Sequence, residues 1–308
     1  MIEPKISQEI EKQLEEIQTK VRKANKQSKY IWIGYIFFAI ITLLLGYFSD
    51  SIGYYFASGL GGFGAFSANS YLKNKAKAGF KINIIKKLIN DDPSLGITYY
   101  PNQSITVTEF EASKIFNNYV DRYQGEDLFE GKRDKTVFKF SELKAEEEHE
   151  TTDSQGHRKT SYSTIFEGVM FIAEFNKKLK GITRVKQGND GFFEKLFAGK
   201  SKVNLENIDF EKVYNTYSTD QVEARYILTP NMMERILKLK EKFNTKVEFS
   251  FLHNLVFIVI HFNRDKFELD REKPVDHEQI KRIFAEIDSF IEIIDILNLN
   301  MRIWGQVE

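Results

Sequence analysis

The sequence predicts an α+β protein: an N-terminal amphipathic helix and a two-helix transmembrane hairpin, followed by a soluble domain of antiparallel sheet with covering helices. Three observations lead to this fold class. No charged side chain occurs from Tyr30 to Phe48, and a second uncharged stretch runs from Ile52 to Leu72. Later segments are rich in aromatic and β-branched residues that alternate as strands do. A last apolar stripe with helical period, from Ile280 to Ile294, predicts a helix that covers the sheet.

The first uncharged stretch is long enough to cross a bilayer. At about 1.5 Å per residue, a helix over Tyr30–Phe48 is roughly 28 Å long, close to the thickness of the hydrocarbon core. A cleaved signal peptide has a shorter apolar core and a brief basic start, whereas a long polar segment precedes this stretch. We therefore predict a membrane anchor over residues 30–72.

The second stretch is less apolar, because it contains several glycines and serines. Ser49, Asp50 and Ser51 separate it from the first, so the second helix must return at once as a hairpin. Small residues spaced four apart, as at Gly61 and Ala65, allow helix backbones to approach closely in lipid. We predict that this face packs against the first span or against another copy of the chain.

Basic residues flank both outer ends of the predicted hairpin, and the connecting turn carries one acid, Asp50. Lysine and arginine next to a span tend to stay in the cytoplasm. We therefore predict a multi-pass protein of the cell (inner) membrane, with both termini and the soluble domain in the cytoplasm. The flanking basic residues are Lys20, Arg22, Lys23, Lys26, Lys29, Lys73, Lys75 and Lys77.

The N-terminal arm, residues 1–29, is predicted to be a basic amphipathic helix. Its apolar residues recur at three- and four-residue spacings and so share one face. They are Ile6, Ile10, Leu14, Ile17 and Val21. Two interpretations remain open: a short coiled coil between copies of the chain, or a helix that lies on its own soluble domain or on the membrane surface.

Residues 80–308 are predicted to form the cytoplasmic α+β domain, with two lobes at 80–202 and 203–308. In the first lobe we predict a helix over Glu109–Val120 and a long hairpin whose strands include Thr136–Leu143 and Ser163–Phe175. The polar segment Glu146–His157 is predicted to be its exposed turn.

In the second lobe, Thr229 and Pro230 predict the start of a helix. A hairpin follows, with its turn at His253-Asn254. In its first strand, the apolar residues Val247, Phe249 and Phe251 alternate with Lys246, Glu248 and Ser250.

Composition and motifs do not indicate a particular chemistry. Lysine plus arginine equal aspartate plus glutamate at 44 each, so nucleic acid is not expected as a partner. The chain has no cysteine, which excludes disulfides and thiolate metal sites. His149 and His157 lie in the acidic hairpin turn, where a weak divalent-cation site is the alternative to a solvated turn. We predict no cofactor, no metal site and no catalytic residues.

Several segments of the soluble region resemble a bacterial family. They are Asp121-Arg122-Tyr123, Phe140-Ser141-Glu142-Leu143, Phe166-Glu167-Gly168, Phe171, Phe175-Asn176-Lys177 and Asp220 to Pro230. The family is the one catalogued as domain of unknown function 3137, and the likeness covers roughly Ser113 to Phe262. The resemblance implies a membrane protein with one or two N-terminal spans and a soluble α+β portion, but no activity, substrate or catalytic residue.

The most distinctive of these segments clusters charged groups beside a tyrosine at the entrance to a helix. Two interpretations are open, an internal ion-pair network or a recognition surface, and we favour the structural one. The predicted interaction or structural network comprises Glu142, Asn176, Asp220, Glu223, Arg225 and Tyr226.

The leading functional hypothesis is a binding or scaffold protein held at the cytoplasmic face of the membrane, with the lipid bilayer and unidentified proteins as partners. One alternative is a membrane-associated hydrolase that uses carboxylates and histidine. Another is a lipid-sensing or membrane-shaping protein that acts through the basic arm and the hairpin. Homo-oligomerisation is a further expectation from the arm and the small-residue face.

Overall fold

The computed structural model describes residues 4–49, 51–77, 80–152, 156–175, 177–188, 201–263, 266–269 and 275–300, with the backbone alone for residues 73–77 and 201. The chain divides into two compact units. The N-terminal unit comprises Glu3–Asp91 and Leu269–Ile283. The sheet unit comprises Asp92–Glu268 and Phe284–Glu308, together with the first two residues.

Two long helices dominate the N-terminal unit. Helix α1 spans Gln8–Ser49 and helix α2 spans Ile52–Lys77. They pack against each other in an antiparallel pair, because Gly46 lies against Tyr55 near the turn and the Ser28 hydroxyl donates to Asn69 Oδ1 further along.

Glycines make the close approach of these helices possible. A Cβ atom on Gly61 would lie 2.8 Å from the Phe38 ring, and one on Gly62 would lie 2.7 Å from the Tyr35 hydroxyl. Ala65 is also buried. The predicted packing of the Gly61 and Ala65 face against the first helix is thus present.

By length and hydropathy, one helix in the described part of the chain qualifies as a membrane span, and it is α1. Helix α2 does not qualify, since its glycines and serines lower its hydropathy. The α+β class with a large antiparallel sheet is confirmed, whereas of the predicted pair of spans one helix meets the criterion.

The apolar stripe of the N-terminal arm is covered by its own unit. Ile10, Leu14 and Ile17 are each at most 4% exposed. A π-helical turn at Lys81–Ile85 leads into α3, Lys86–Asn90, and Lys87 pairs with Glu9. The side-chain amide of Gln18 donates to the Val275 carbonyl at 2.7 Å. Of the two interpretations, the structure therefore favours a helix that lies on its own chain.

The sheet unit is built on one antiparallel sheet, which in the described residues has nine strands in the order β1-β2-β3-β4-β9-β8-β5-β7-β6. The strands are β1 Ile97–Tyr100, β2 Arg122–Arg133, β3 Thr136–Thr152, β4 Arg158–Glu174, β5 Ile182–Gln187, β6 Ser201–Val203, β7 Tyr214–Ser218, β8 Val247–Leu252 and β9 Leu255–His261. The pairing of β4 with β9 joins strands from the two predicted lobes.

Helices in the sheet unit begin at side-chain caps. Thr106 caps α4, Val107–Ala112, with Glu109 in a capping box, and Asn207 caps α5, Ile208–Val213. Helix α6, Gln221–Ile227, is followed by α7, Pro230–Phe243, which Thr229 caps as predicted. Helix α8 spans His277–Leu297, and its residues from Phe284 onward belong to the sheet unit.

Aromatic rings fill the core on one side of the sheet. Phe140 stacks on Phe129 at 4.7 Å and on Phe290 of α8 at 5.3 Å between ring centroids. On the opposite side, Phe110 and Phe116 join a second apolar cluster with Met170 and Val259. Both faces of the sheet are therefore covered.

Two sequence predictions are wrong in extent. The helix expected over Glu109–Val120 ends at Ala112, because the Ser113 hydroxyl bonds back to the Phe110 carbonyl and Lys114 adopts a left-handed conformation. The turn expected over Glu146–His157 is shorter, since β3 runs to Thr152 and β4 starts at Arg158.

Gly168 occupies the tightest backbone position of the sheet. Its φ is +149°, and a Cβ atom there would lie 2.1 Å from the Ile260 carbonyl oxygen of β9. We predict that Gly168→Ala lowers the free energy of unfolding by about 3 kcal/mol or prevents folding, as measured by thermal unfolding of the purified chain. Gly156→Ala is the matched control, because Gly156 also has positive φ but has open space around it. Equal effects of the two substitutions would contradict the steric explanation.

Candidate functional site

The most extensive candidate surface is the apolar exterior of helices α1 and α2. Large side chains between Tyr30 and Tyr71 point outward, and Phe37, Leu44 and Phe63 are 69%, 52% and 72% exposed. Soluble proteins rarely expose a contiguous apolar surface of this extent. The remaining large exposed residues of this surface are Ile33, Ile36, Phe38, Ile40, Ile41, Leu43, Leu45, Phe48, Ile52, Phe56, Leu60 and Phe66.

Tyrosines are concentrated at both ends of this apolar surface. Tyr30 and Tyr71 lie at the end near the basic residues, and Tyr47, Tyr54 and Tyr55 lie near the turn; all five are more than one third exposed. Tyrosine favours the interface between hydrocarbon and water because one end of the ring is apolar and the other is polar. The surface thus has the chemical profile of a membrane-spanning element.

The predicted flanking basic residues adjoin one end of the apolar surface. Five of them are exposed on α1: Lys20, Arg22, Lys23, Lys26 and Lys29. Lys73, Lys75 and Lys77 occupy the last turns of α2, and their side chains lie outside the described part of the structure.

The charged segment around Asp220 holds helix α6 in place. The Asp220 carboxylate caps the helix by accepting from the backbone N–H groups of Val222 and Glu223 at 2.9 and 3.0 Å. The Glu223 carboxylate accepts from the N–H groups of Lys180 and Gly181, both at 2.8 Å. Both acids therefore bind backbone N–H groups: Asp220 holds the start of α6, and Glu223 holds the segment that enters β5.

Arg225 and Tyr226 also make backbone-directed contacts. The Arg225 guanidinium donates to the carbonyls of Gln221 and Asn204 at 3.1 and 3.3 Å. The Lys177 ammonium donates to the Tyr226 carbonyl and lies 4.0 Å above the Tyr226 ring, and burial lowers the pKa of Lys177. Asp220, Glu223, Arg225 and Tyr226 are thus brought together around α6, while Asn176 lies outside the described residues.

Glu142 lies elsewhere, on β3, at a cavity of about 290 Å³. One of its carboxylate oxygens accepts from the Lys266 backbone N–H. Lys144, at the same cavity, lies 3.2 Å from a Glu146 oxygen and 3.7 Å from a Glu167 oxygen. The cavity is lined by Gln124, Gly125, Glu126, Glu142, Leu143, Lys144, Glu167, Gly168 and Phe262.

Three carboxylates converge at the bulge of β2. Oxygens of Glu126, Asp127 and Glu268 lie within 4.8 Å of one another, the only such group of potential metal ligands among the described residues. Asp127 is buried with φ of +58° and accepts from the Tyr99 hydroxyl. Burial and then the Asp127 charge raise the pKa of Tyr99. Carboxylate oxygens suit hard divalent cations, but acidic side chains often cluster without binding one.

His149 and His157, for which the sequence left a weak divalent-cation site open, do not join that group. His149 lies on the exposed part of β3, where its Nε2 is 2.7 Å from the Ser163 hydroxyl. His157 precedes β4. The three-carboxylate group, which is the candidate metal site among the described residues, contains neither of them.

A buried charged cluster, unexpected from the sequence, lies where β5, β8 and β9 adjoin. Glu248 is fully buried; its carboxylate lies 3.3 Å from His261 Nε2 and 3.1 Å from the Lys246 ammonium. Burial alone would raise the pKa of Glu248, but the His261 hydrogen bond and the charges of Lys186 and Lys246 outweigh it and lower the pKa.

An irregular segment, residues 113–121, covers this cluster. Arg184 is 3% exposed and donates to Asn117 Oδ1 at 3.1 Å, and burial lowers its pKa to about 10. The Phe116 ring lies 5.8 Å from the Lys186 ammonium. Glu248 and Ser250, which alternate with apolar residues along β8, are therefore buried as well, because the chain itself covers their face of the sheet. The signal available in the sequence was the pair Arg184 and Lys186, two residues apart and therefore on one side of β5.

Comparison with known proteins supports one family. Residues 164–299 match the family model described as "Protein of unknown function (DUF3137)". The match overlaps the region in which the resemblance was identified and confirms the resemblance to this family over those residues. The family description specifies no activity, and no curated protein matches the chain.

Among solved structures, the crystal structure of the mycobacterial trehalose monomycolate transport factor A, TtfA, is similar at a TM-score of 0.31 and 8% sequence identity. The similarity covers 66% of this chain and 90% of that chain. At this score and identity it supports no conclusion about the present chain.

The buried Glu248 predicts an acid-dependent stability. Because its pKa is lower in the folded than in the unfolded state, its stabilising contribution is complete at pH values above its unfolded pKa and is lost as the pH falls through its folded pKa. We predict that Glu248→Gln lowers the free energy of unfolding at pH 7 by about 3 kcal/mol, since it removes the buried negative charge that faces Lys186, Lys246 and His261.

Chemical denaturation between pH 7 and pH 3 measures this effect. The difference between wild type and Glu248→Gln should shrink toward acid pH. The control is Glu241→Gln, which changes an exposed carboxylate on α7. A difference that stays constant across this range would refute the ionic explanation.

Proposed function

We propose, from the family assignment over residues 164–299 and the apolar surface of α1 and α2, that this chain is a membrane-anchored scaffold. In this proposal both helices cross the cell membrane as a hairpin, and both termini and the sheet unit are cytoplasmic. The sheet unit binds partner proteins near the membrane. The observation that carries the proposal is the exposed apolar exterior of two helices that already pack against each other.

The dimensions of the helices support two crossings. Residues 30–48 of α1 extend roughly 28 Å and residues 52–71 of α2 roughly 30 Å, each close to the hydrocarbon thickness. The low hydropathy of α2 is compatible with a crossing, because its Gly61 and Gly62 face Phe38 and Tyr35 of α1 rather than lipid.

Polar groups within the pair are satisfied inside it, as a bilayer requires. The Thr42 hydroxyl lies 3.0 Å from the carbonyl oxygens of both Phe38 and Ala39 on its own helix. Ser28 and Asn69 bond to each other across the two helices, and such interhelical hydrogen bonds stabilise helix pairs in lipid.

The orientation follows from the distribution of charge. Five exposed basic residues precede Tyr30 on α1, three further lysines end α2, and the turn between the helices contains a single charged residue, the acid Asp50. The rule that basic flanks stay in the cytoplasm favours cytoplasmic termini.

The projecting end of the β3–β4 hairpin is the part of the sheet unit best suited to a protein partner. Residues 148–152 and 158–164 are exposed, and β2 pairs with β3 only as far as Glu146. This two-stranded ribbon presents Glu147, Glu148 and Glu150 on one strand. A basic surface on the partner would complement these charges and would associate rapidly at low salt.

Reporter fusions test the anchoring. We expect alkaline phosphatase, which is active only outside the cytoplasm, to be active when inserted between Ser49 and Ser51 and inactive when fused to the C-terminus. The full chain should stay in the membrane fraction after alkaline carbonate extraction. A fusion after Lys29, which lacks the apolar parts of both helices, is the inactive control. An active C-terminal fusion would overturn the orientation, and an inactive turn insertion would overturn the two crossings.

The ribbon hypothesis has its own test. We expect the substitutions Glu147→Gln, Glu148→Gln and Glu150→Gln, made together, to weaken association with a protein that co-purifies with the detergent-solubilised wild type. Association should also weaken as salt is raised. The control combines Glu234→Gln and Glu241→Gln on the exposed side of α7. Association that survives the ribbon substitutions, or that the control weakens equally, would place the partner on another surface.

A further inference from the structure

We propose that the basic residues next to the apolar surface form a binding collar for the head groups of anionic phospholipids. The inference rests on the proposed membrane anchoring and names the lipid class that the anchor recognises. The collar residues whose side chains are described lie on α1 and are all exposed: Lys20, Arg22, Lys23, Lys26 and Lys29.

Charge is segregated along α1, which is a continuous helix from Gln8 to Ser49. Its first part contains the acids Glu9, Glu11, Glu15 and Glu16 with one base, Lys12. The ten residues before Tyr30 contain five bases and no acid. The acids near the N-terminus of the helix suit the helix dipole, but the dipole does not explain bases in the middle of the helix.

Contacts within the helix do not explain the bases either. Side chains three or four residues apart are neighbours on a helix, and like charges at these spacings are destabilising. Lys26 has Arg22, Lys23 and Lys29 at these spacings and no acid. The helix therefore concentrates mutually repelling charges, and an external negative surface would relieve the repulsion.

The collar lies within electrostatic reach of a bilayer surface at Tyr30. Along the helix axis, Lys29, Lys26 and Lys23 lie about 1.5, 6 and 10 Å from Tyr30, and the Debye length at physiological salt is about 8 Å. Lysine side chains also extend toward the interface. Lys29 and Lys26 should therefore contribute most, and Lys20, about 15 Å away, least.

Lys26, in the middle of the collar, faces away from the helix pair. Ala24 and Ser28, on the opposite side of α1 from Lys26, are 6% exposed, and Ser28 bonds to Asn69 of α2. Beyond Asn69, α2 continues antiparallel to α1 through Lys73 and Lys77, so its lysine positions are level with the basic part of α1. Both helices of the pair thus carry basic positions at this level.

The apolar surface directly above the collar specifies a lipid rather than a free phosphate. Ile33 and Phe37, one and two turns beyond Lys29, are 58% and 69% exposed. A phospholipid can place its phosphate at Lys26 and Lys29 and its acyl chains against these side chains at the same time. A soluble phosphate would meet only solvated lysines, whose individual ion pairs contribute little.

Native mass spectrometry of the full chain in detergent tests the proposal without depending on membrane orientation. With equal amounts of phosphatidylglycerol and phosphatidylcholine added, we expect preferential retention of phosphatidylglycerol. Lys26→Gln should weaken this retention about fivefold. Lys23→Gln, Lys26→Gln and Lys29→Gln together should abolish the preference. The matched control is Lys12→Gln, an exposed lysine of the same helix about 20 Å further from the apolar surface, which should leave it unchanged.

Each outcome bears on the proposal. Equal retention of the two lipids by the wild type, or equal losses in Lys12→Gln and Lys26→Gln, would overturn it. Circular dichroism at 222 nm verifies that the variants keep their helix. Competition by millimolar glycerol 3-phosphate would overturn the assignment to lipid. Release of the chain by alkaline carbonate would instead refute the anchoring itself, whereas a chain that resists extraction but lacks lipid preference refutes only the collar.

Discussion

The exclusion of apolar side chains from water is the constraint on which the proposed role of this protein depends. Transfer of one exposed leucine, isoleucine or phenylalanine out of water is worth about 2 kcal/mol, and more than a dozen such residues point outward from α1 and α2. Packing of the two helices against each other leaves this surface uncovered, since the contacts between them use glycine, alanine and a few aromatic side chains. A bilayer is the environment in which such a surface is stable. The soluble part of α1 is different, because Ile10, Leu14 and Ile17 are already buried within the N-terminal unit.

The sheet unit differs from the exposed surface of α1 and α2, because both faces of its sheet are covered by the chain and every side chain on them must be compatible with burial. On one face, aromatic residues pack against each other, as Phe129, Phe140 and Phe290 do. The other face includes charged side chains at Glu248, Arg184 and Lys186, which must find partners when the segment 113–121 covers them. A buried ionic cluster of this kind contributes little net stability compared with apolar packing, but removal of one member is costly.

The sequence predicted elements whose pattern is local. The hydrophobic pattern predicted α1. Thr229 and Pro230 predicted the start of α7, and the alternation of apolar residues predicted β8. The sequence did not predict β2, because the segment Arg122–Arg133 is rich in charged residues and glycine. Pairing with β1 on one side and with β3 on the other makes this segment a strand. The same competition explains the end of β3, whose glutamates indicated a turn, whereas pairing with β4 continues to Thr152. Asp220 and Glu223 could be picked out as a charged cluster, but that their carboxylates bind backbone N–H groups depends on distant segments. The buried state of Glu248 was likewise unreadable, since only the covering segment 113–121 distinguishes it from a solvated strand residue.

The continuity of α1 has a mechanical consequence. The helix has no break between its soluble part and the apolar part that begins at Tyr30, so it acts as a single rod about 63 Å long. Gln8 lies roughly 33 Å from Tyr30 along this rod, and a tilt of about 10° at the bilayer would sweep it sideways by roughly 6 Å. If α1 crosses a bilayer as proposed, changes in bilayer thickness, which helices accommodate by tilting, would thereby be amplified into a displacement of the first turns of α1 by several ångströms.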